Sequence, residues 1–443
     1  MKSYYKWPLA IGVISIVVFY AVQLGFVTHL EGVNKDRCVY LDENAAVDGL
    51  LSCVEDATLF EGYVFASADP QRMHMMDAGV AKKRRGKDYP HYDKLKDWVF
   101  RLSDMSPDEQ GAILVASVRD VLNAYDDKAS IRGPIFHRVP VTGWNWKENP
   151  DFHPHGINVY RSPSAKKDYI AVVMHGRRGD SVDLFELQRK ADPENPQKLA
   201  WEMQFVHSFV NKNVILNAND VALVDSLENP GEVEVYGTNY FASSNDNPMG
   251  ITVEQFTLRP WGSVFRCSIS RGCDFLIKGL IQPNGIQAHI VLDESYSPKP
   301  FIQLFVAGFL ENRVLVYHLS PQAEPDPRPG IYVDRGLDNI EFVRDSAGTL
   351  KSLLLGAHRK LYRTLMMLSN LENRAPNAVF ELRYNNERKE LEERVSVVYQ
   401  DPDPEHVGAV SVALELEPAS NSRSRKLLMG SPFDTGMLLC SLN

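Results

Sequence analysis

The sequence predicts an all-β fold behind a single N-terminal membrane-spanning helix. Three observations carry that expectation. Short apolar runs bounded by turn-forming residues recur along most of the chain. No long helical patterns alternate with them, which favours a sandwich, barrel or propeller over an α/β fold. The N-terminus holds one uncharged apolar run.

That run extends from Trp7 to Val27, WPLAIGVISIVVFYAVQLGFV, with Gln23 its one strongly polar residue. Roughly 20 apolar residues span a bilayer's hydrocarbon core as a helix. Lys2 and Lys6 precede it, so residues 1–6 are expected in the cytosol and residues 7–28 as an anchor. No small-residue cleavage pattern follows, so an uncleaved anchor is favoured over a signal peptide. Everything from residue 29 onward would then face the secretory lumen or the exterior.

The strand expectations follow in order: YIAVVMH (169–175), DVALV (220–224), FIQLFVAGF (301–309), RVLVYHL (313–319), SLLLGAH (352–358), AVSVALEL (409–416) and KLLMG (426–430). At 443 residues, one closed propeller is the economical arrangement of so many short strands. No blade repeat such as a recurring Trp-Asp dipeptide marks it. Residues 70–130 stand apart as charged and less apolar, and read as a long surface insertion with a short helix over VRDVLNAYDD (118–127). Its Lys82–Arg85 run, the RGD at Arg178–Asp180 and DPDPEH (401–406) all read as solvated loops or turns before any more specific role.

The charge balance, 48 Lys+Arg against 57 Asp+Glu, lacks the basic footprint of a nucleic-acid binder. The five cysteines, Cys38, Cys53, Cys267, Cys273 and Cys440, include no C-x-x-C pair and no zinc spacing. In an oxidising lumen they can form disulfides, with at least one thiol left over. Cys267 and Cys273 could close a short local loop. A bond between Cys38 and Cys440 would tie the ends of the lumenal part together.

Acid and amide pairs sit at strand mouths: Glu55–Asp56, Asn219–Asp220, Asp338–Asn339, with Asn284 between a proline and a glycine. Singly, each is what a turn former looks like. Together they offer the oxygen donors that a hard cation such as calcium takes, 6–8 at a time. Two adjacent side chains on one backbone could also serve two different ions. His153 and His155, in FHPHGINVY, would lie on one face of a strand and suggest a His-x-His site.

The segments DFHPHGINVY, YIAVVMHGRRGDSVDLFEL, LNANDVALV, VYGTNYF, PNGIQAHIVLD, GLDNIEF and RKLLMGSPFDTGMLLCSLN occur in an order that resembles the serum paraoxonase/arylesterase family. The resemblance runs from about Cys38 to the C-terminus. It implies a six-bladed β-propeller with two calcium ions in its central tunnel, acting on lactones and aryl esters. Matched motif by motif, Glu55, Asn219, Asn284, Asp338 and Asn339 would hold a catalytic calcium. Asp56, Asp220 and the backbone carbonyl of Ile157 would hold a structural one. His155 would be the general base with His175 as its partner, His358 would line the site, and Cys38 would pair with Cys440 to close the propeller. His153 becomes a bystander.

This chain departs from the pattern in three places. The 70–130 segment is longer and more basic, Tyr240 follows YGTN where an acid is usual, and Asn245–Cys273 lies where substrate contacts vary. Tyr240 is therefore placed in the substrate pocket with an altered wall. No G-x-S-x-G elbow is present, which leaves a metal route for ester hydrolysis. Two alternatives stand beside it: a strictosidine-synthase-like propeller that relies on a glutamate, and a non-catalytic propeller that keeps its ions for stability. The expected partners are a small ester or lactone and a membrane, and no nucleic acid.

Overall fold

The computed structural model describes residues 22–26, 28–70, 72, 110–126, 133–146, 151–176, 179–191, 199–244, 247–292, 297, 299–321, 324–370, 372–416 and 425–442. Six sheets form a six-bladed β-propeller. Of the anchor expected over residues 7–28, residues 7–21 and 27 lie outside the described residues, as does the Lys82–Arg85 run; its end packs on the propeller, with Leu24 O accepting from Tyr362 N at 3.1 Å and Phe26 stacked on the Tyr362 ring. Among the described residues no helix is long and apolar enough to cross a membrane.

In each blade four strands run outward from the tunnel through antiparallel neighbours, and blade 2 adds a fifth, outermost strand, Val141–Thr142, parallel to Leu199–Phe209. The inner strands are Val54–Phe60 in blade 1, Pro154–Ser162 in blade 2 and Ala218–Asp225 in blade 3. Pro283–Val291, Leu337–Arg344 and Val412–Leu416 serve blades 4, 5 and 6. These six strands touch one another in a closed ring. Blade 6 takes its outer strand, Cys38–Leu41, from the other end of the chain, and Cys38 pairs in register with Cys440. The disulfide that the family resemblance implied joins those two residues, and Cys267 bonds Cys273 across the hairpin of blade 3. Cys53 is outside both disulfides.

The core explains why the strands read as continuous apolar runs. Six hydrophobic layers lie between successive blades, so most strands are buried on both faces. In Phe301–Gly308, Ile302, Leu304 and Val306 pack toward blade 3, while Phe305 and Ala307 pack toward blade 5. Fully burying a Leu or Ile side chain contributes about 1.5–3 kcal/mol. Period-2 alternation thus chooses between two apolar neighbours rather than between core and water.

The 70–130 expectation needs correction. Ala112–Ser117 is a buried strand of blade 1, with Ile113 packed toward blade 2 and Leu114 toward blade 6. AILVAS is a short apolar run among charged residues, and the charged character of the segment as a whole masked it. The helix expected at 118–127 is present as α1, Val118–Asp126, amphipathic with Val121 and Ala124 inward. The other labelled helices, α2 (Pro248–Thr257) and α3 (Leu361–Ser369), follow strands that end at the tunnel mouth.

Candidate metal centre and active site

The five inner strands of blades 1 to 5 share one irregularity. Their ladders skip two residues between Val54 and Ala57, Pro154 and Ile157, Ala218 and Val221, Pro283 and Ile286, and Leu337 and Ile340. The skipped pairs are Glu55–Asp56, His155–Gly156, Asn219–Asp220, Asn284–Gly285 and Asp338–Asn339. A bulge leaves its residues unpaired and re-aims their side chains. Repeated around the ring, it turns polar groups into the tunnel where a regular strand would send every other one into a blade interface.

The glycines make the nesting of bulges feasible. A Cβ on Gly156 would lie 2.5 Å from Asn219 O and Asp220 Cα, and one on Gly285 would lie 2.6 Å from Asn339 Cα and Asp338 O. Both clashes are with backbone, which cannot rotate away. Gly156→Ala is expected to cost about 1–3 kcal/mol through overpacking and to weaken cation binding by displacing Asn219. Chemical denaturation and a calcium titration check this; an alanine variant equal to wild type in both would refute the nesting argument.

At the upper level, side chains tie one another down and leave oxygens free. Asn339 Nδ2 donates to Glu55 O and Oε1, both at 2.9 Å. Asn219 Nδ2 donates to His155 Nε2 at 3.2 Å. Ser411 Oγ donates to Glu55 O at 2.6 Å, and Thr238 Oγ1 to Asn284 O at 2.6 Å. Glu55 Oε2, Asn219 Oδ1, Asn284 Oδ1 and Asn339 Oδ1 are buried and have no hydrogen-bond partner. Four orphaned oxygens on four of the five expected ligands are a donor set that fits a hard cation. The fifth, Asp338, is 6 % exposed, and His358 Nε2 holds its Oδ2 at 2.6 Å. His358 is in turn fixed by Thr364 of α3 at 3.3 Å, so it orients Asp338 from behind. Among the described residues no three His, Cys, Asp or Glu groups are placed to hold a metal by themselves, so a cation here would need amide oxygens as well.

The lower level is arranged differently. Asp56 accepts from Ala57 N at 2.9 Å and Ile157 N at 2.7 Å; Asp220 accepts from Val221 N and Ile286 N, both at 2.7 Å. Ile157 thus meets Asp56 through its amide, not its carbonyl. Each carboxylate links its own blade to the next. Their remaining lone pairs could still serve a cation, with the Ile157 carbonyl as a further oxygen. Below them Glu341 accepts from Thr58 at 3.2 Å and from Gln287 at 3.0 Å.

So many buried acids perturb one another. Burial, then the charge of Asp338, pushes Glu55 up to about 8. Burial and neighbouring carboxylates raise Asp56, Asp220 and Glu341 well above the usual range. A nearby cation would relieve that cost. Burial, then the Arg72 charge, lowers His155, which keeps the ring neutral. Arg72, which the sequence did not single out, is buried with its Nη2 donating to Pro154 O at 3.1 Å.

His155 and His175 come together as expected, with ring centroids 4.7 Å apart. His155 Nδ1 lies 3.6 Å from Glu55 Oε2. His153 turns away to Asp69, 3.3 Å from its Nδ1. Tyr240 donates to Gln282 Oε1 at 3.0 Å and packs edge-on against Phe241 and Phe309. Phe309, Gln282, Asp180 and Arg72 escaped the sequence reading. Gln282 lies two residues before Asn284 and Asp180 was read only as the end of a turn, while Phe309 and Arg72 are far along the chain from the ligands they approach; no local spacing announces any of them.

No model of a known protein family matches the chain, and no curated protein matches it. Solved structures similar to it include a gluconolactonase candidate, 12 % identical, over 66 % of this chain and 88 % of that one, with a TM-score of 0.29. Another is a family-43 β-xylosidase/α-arabinofuranosidase from a compost metagenome, 13 % identical, over 81 % and 98 %, with a TM-score of 0.38. A protein of unknown function from Desulfotomaculum acetoxidans is 10 % identical over 87 % and 89 %, with a TM-score of 0.35. At these scores the likenesses decide neither fold nor activity for this chain.

Proposed function

We propose that this chain is a calcium-dependent hydrolase of lactones and of aryl or other carboxylic esters. The observation that carries the reading is the set of four buried oxygens without hydrogen-bond partners on Glu55, Asn219, Asn284 and Asn339. With Asp338 they make a site of two carboxylates and three amides, suited to Ca²⁺ rather than to a softer metal. A cation bound there would supply Lewis-acid polarisation of the substrate carbonyl.

The protein's own groups supply the remainder. The His155–His175 pair takes a proton from water and returns it to the leaving oxygen, a role worth about 10²–10⁴-fold in rate. Tyr240, Phe241 and Phe309 form an aromatic wall for the acyl or aryl part of the substrate. Asp56 and Asp220, with the Ile157 backbone, would hold a second, structural calcium. The two disulfides support an oxidising compartment, and the run over residues 7–28 would hold the propeller at a membrane there.

The test is an assay of the full-length protein on phenyl acetate and a panel of lactones, with calcium or with chelator. Turnover is expected with calcium alone, and Asp338→Ala is expected to lower kcat by about 10²-fold or more. Turnover that persists after calcium is verifiably removed would falsify the metal reading. A folded, calcium-loaded protein inert on every ester and lactone would instead favour a non-catalytic propeller.

A further inference from the structure

We propose that Asp180 is a positioning residue of the histidine pair, holding His175 in the tautomer whose Nε2 is the basic nitrogen. This rests on the hydrolase reading for its kinetic consequence, but not for its geometry. Asp180 and His175 face each other as cross-strand partners, one step from the Gly176–Gly179 pair that closes the hairpin. Asp180 Oδ1 lies 3.0 Å from His175 Nδ1, and its side chain is fully buried while that of His175 is 16 % exposed. A carboxylate accepts, so Nδ1 carries the hydrogen and Nε2 keeps its lone pair.

The other oxygen of Asp180 has separate work. Oδ2 accepts from Ala218 N at 2.8 Å. Ala218 is the last ladder-paired residue before the Asn219–Asp220 bulge. One buried carboxylate of blade 2 therefore sets both the ring of His175 and the strand start that presents Asn219.

The same geometry decides which ring of the pair receives the proton. With Asn219 Oδ1 turned to the cation site, its Nδ2 donates to His155 Nε2 and occupies that lone pair. His155 Nδ1 then carries the hydrogen toward Glu55. The free lone pair of the pair is on His175 Nε2. In the hydrolytic step a water O–H bond breaks and its proton goes to that nitrogen. The electron pair left on oxygen forms the bond to the carbonyl carbon as the C=O π pair moves onto the carbonyl oxygen; that pair then re-forms C=O as the C–O bond to the leaving group breaks, and the proton passes to the departing alkoxide or phenoxide. His155 then acts as a buried partner that lines the route and ties the pair to the ligand set.

Asp180→Asn separates this role from simple anchoring. Ala218 N–H needs an acceptor, so the new amide keeps its oxygen there and turns its NH₂ to His175 Nδ1. That nitrogen must then accept, and the hydrogen moves to Nε2, the wrong tautomer for a base. Ring ¹⁵N NMR of the full-length protein, with His175→Gln to assign the signals, should show Nδ1–H in the wild type and Nε2–H in Asp180→Asn. In assays, kcat should fall about 10²–10⁴-fold, while KM and calcium affinity stay within about twofold of wild type. Asp180→Glu, which keeps an acceptor for Nδ1–H, should retain the wild-type tautomer and recover part of kcat; it also serves if the asparagine variant folds poorly. An unchanged tautomer in a folded Asp180→Asn protein, or unchanged kcat, overturns the proposal. A tautomer that switches in a protein with no turnover on any ester or lactone would overturn the hydrolase reading and support the positioning of His175.

Discussion

On the proposed two-calcium reading, removing calcium is expected to lower the melting temperature by on the order of 10 °C. The tunnel holds Glu55, Asp56, Asp220, Asp338 and Glu341, all 6 % exposed or less. Arg72 is the buried guanidinium whose charge acts on Glu55. Carboxylates this close and this dry repel one another, and a site loaded a thousandfold above its dissociation constant stabilises the fold by about 4 kcal/mol. The loss should come in two stages. The upper oxygens have no hydrogen-bond partners, while Asp56 and Asp220 each accept two backbone amides and sit deeper. Mild chelation should therefore strip the upper ion first, with loss of turnover but a modest change in melting. Stronger chelation should remove the lower ion and cause most of the destabilisation. Melting curves paired with metal content by elemental analysis decide it. A metal-free protein that melts with the loaded one would sink the expectation.

Asp183→Asn is expected to stabilise the protein above neutral pH and leave it unchanged in acid. Asp183 is fully buried in blade 2, cross-strand from Val172 and Ser208. Ser181 donates to its Oδ2 at 3.3 Å, and Oδ1 has no partner. Burial lifts its carboxyl from 3.8 to about 7, against the weaker opposing pull of the Ser208 and Ser181 hydroxyls. Between those two values the fold keeps a proton that the unfolded chain has lost, so stability falls as pH rises through the window. Below 3.8 both states are protonated and the difference vanishes. Above about 7 the full penalty stands, on the order of 4 kcal/mol. Asparagine is neutral throughout and nearly the same shape. Urea denaturation of both proteins at pH 5 and pH 8 should show the variant ahead by an increasing margin as pH rises. A margin independent of pH would mean that Asp183 is charged in the fold across the range.

Much of the architecture was legible because propeller strands are buried on both faces. FIQLFVAGF and RVLVYHL stand out as apolar runs whatever their partners are, and both are strands of blade 4. AILVAS was missed for the converse reason: its strand is short and its neighbours are charged, so the segment read as surface. The acid–amide pairs were visible as residues, but as turn formers they carried no direction. The pairing of Cys38 with Cys440 came from family resemblance, since separation along the chain says nothing about distance in space.

The candidate site divides along the same line. Residue type and adjacency made Glu55–Asp56, Asn219–Asp220 and Asp338–Asn339 candidate ligands. Whether those oxygens meet depends on five bulges falling at one height around a ring, and on neighbouring blades that leave no room for a Cβ at Gly156 or Gly285. Asp180 shows the limit most plainly. In the chain it is the end of an RGD tripeptide and reads as part of a hairpin turn. In the fold the hairpin sets it opposite His175, and the closure of blade 2 on blade 3 brings Ala218 to its other oxygen. By itself the sequence determined which groups could bind a cation and which segments had to be buried, because chemistry and hydrophobicity belong to single residues. Tertiary structure alone decided which groups face one another, because a hydrogen bond or a ligand set depends on distances between blades that no stretch of chain encodes locally.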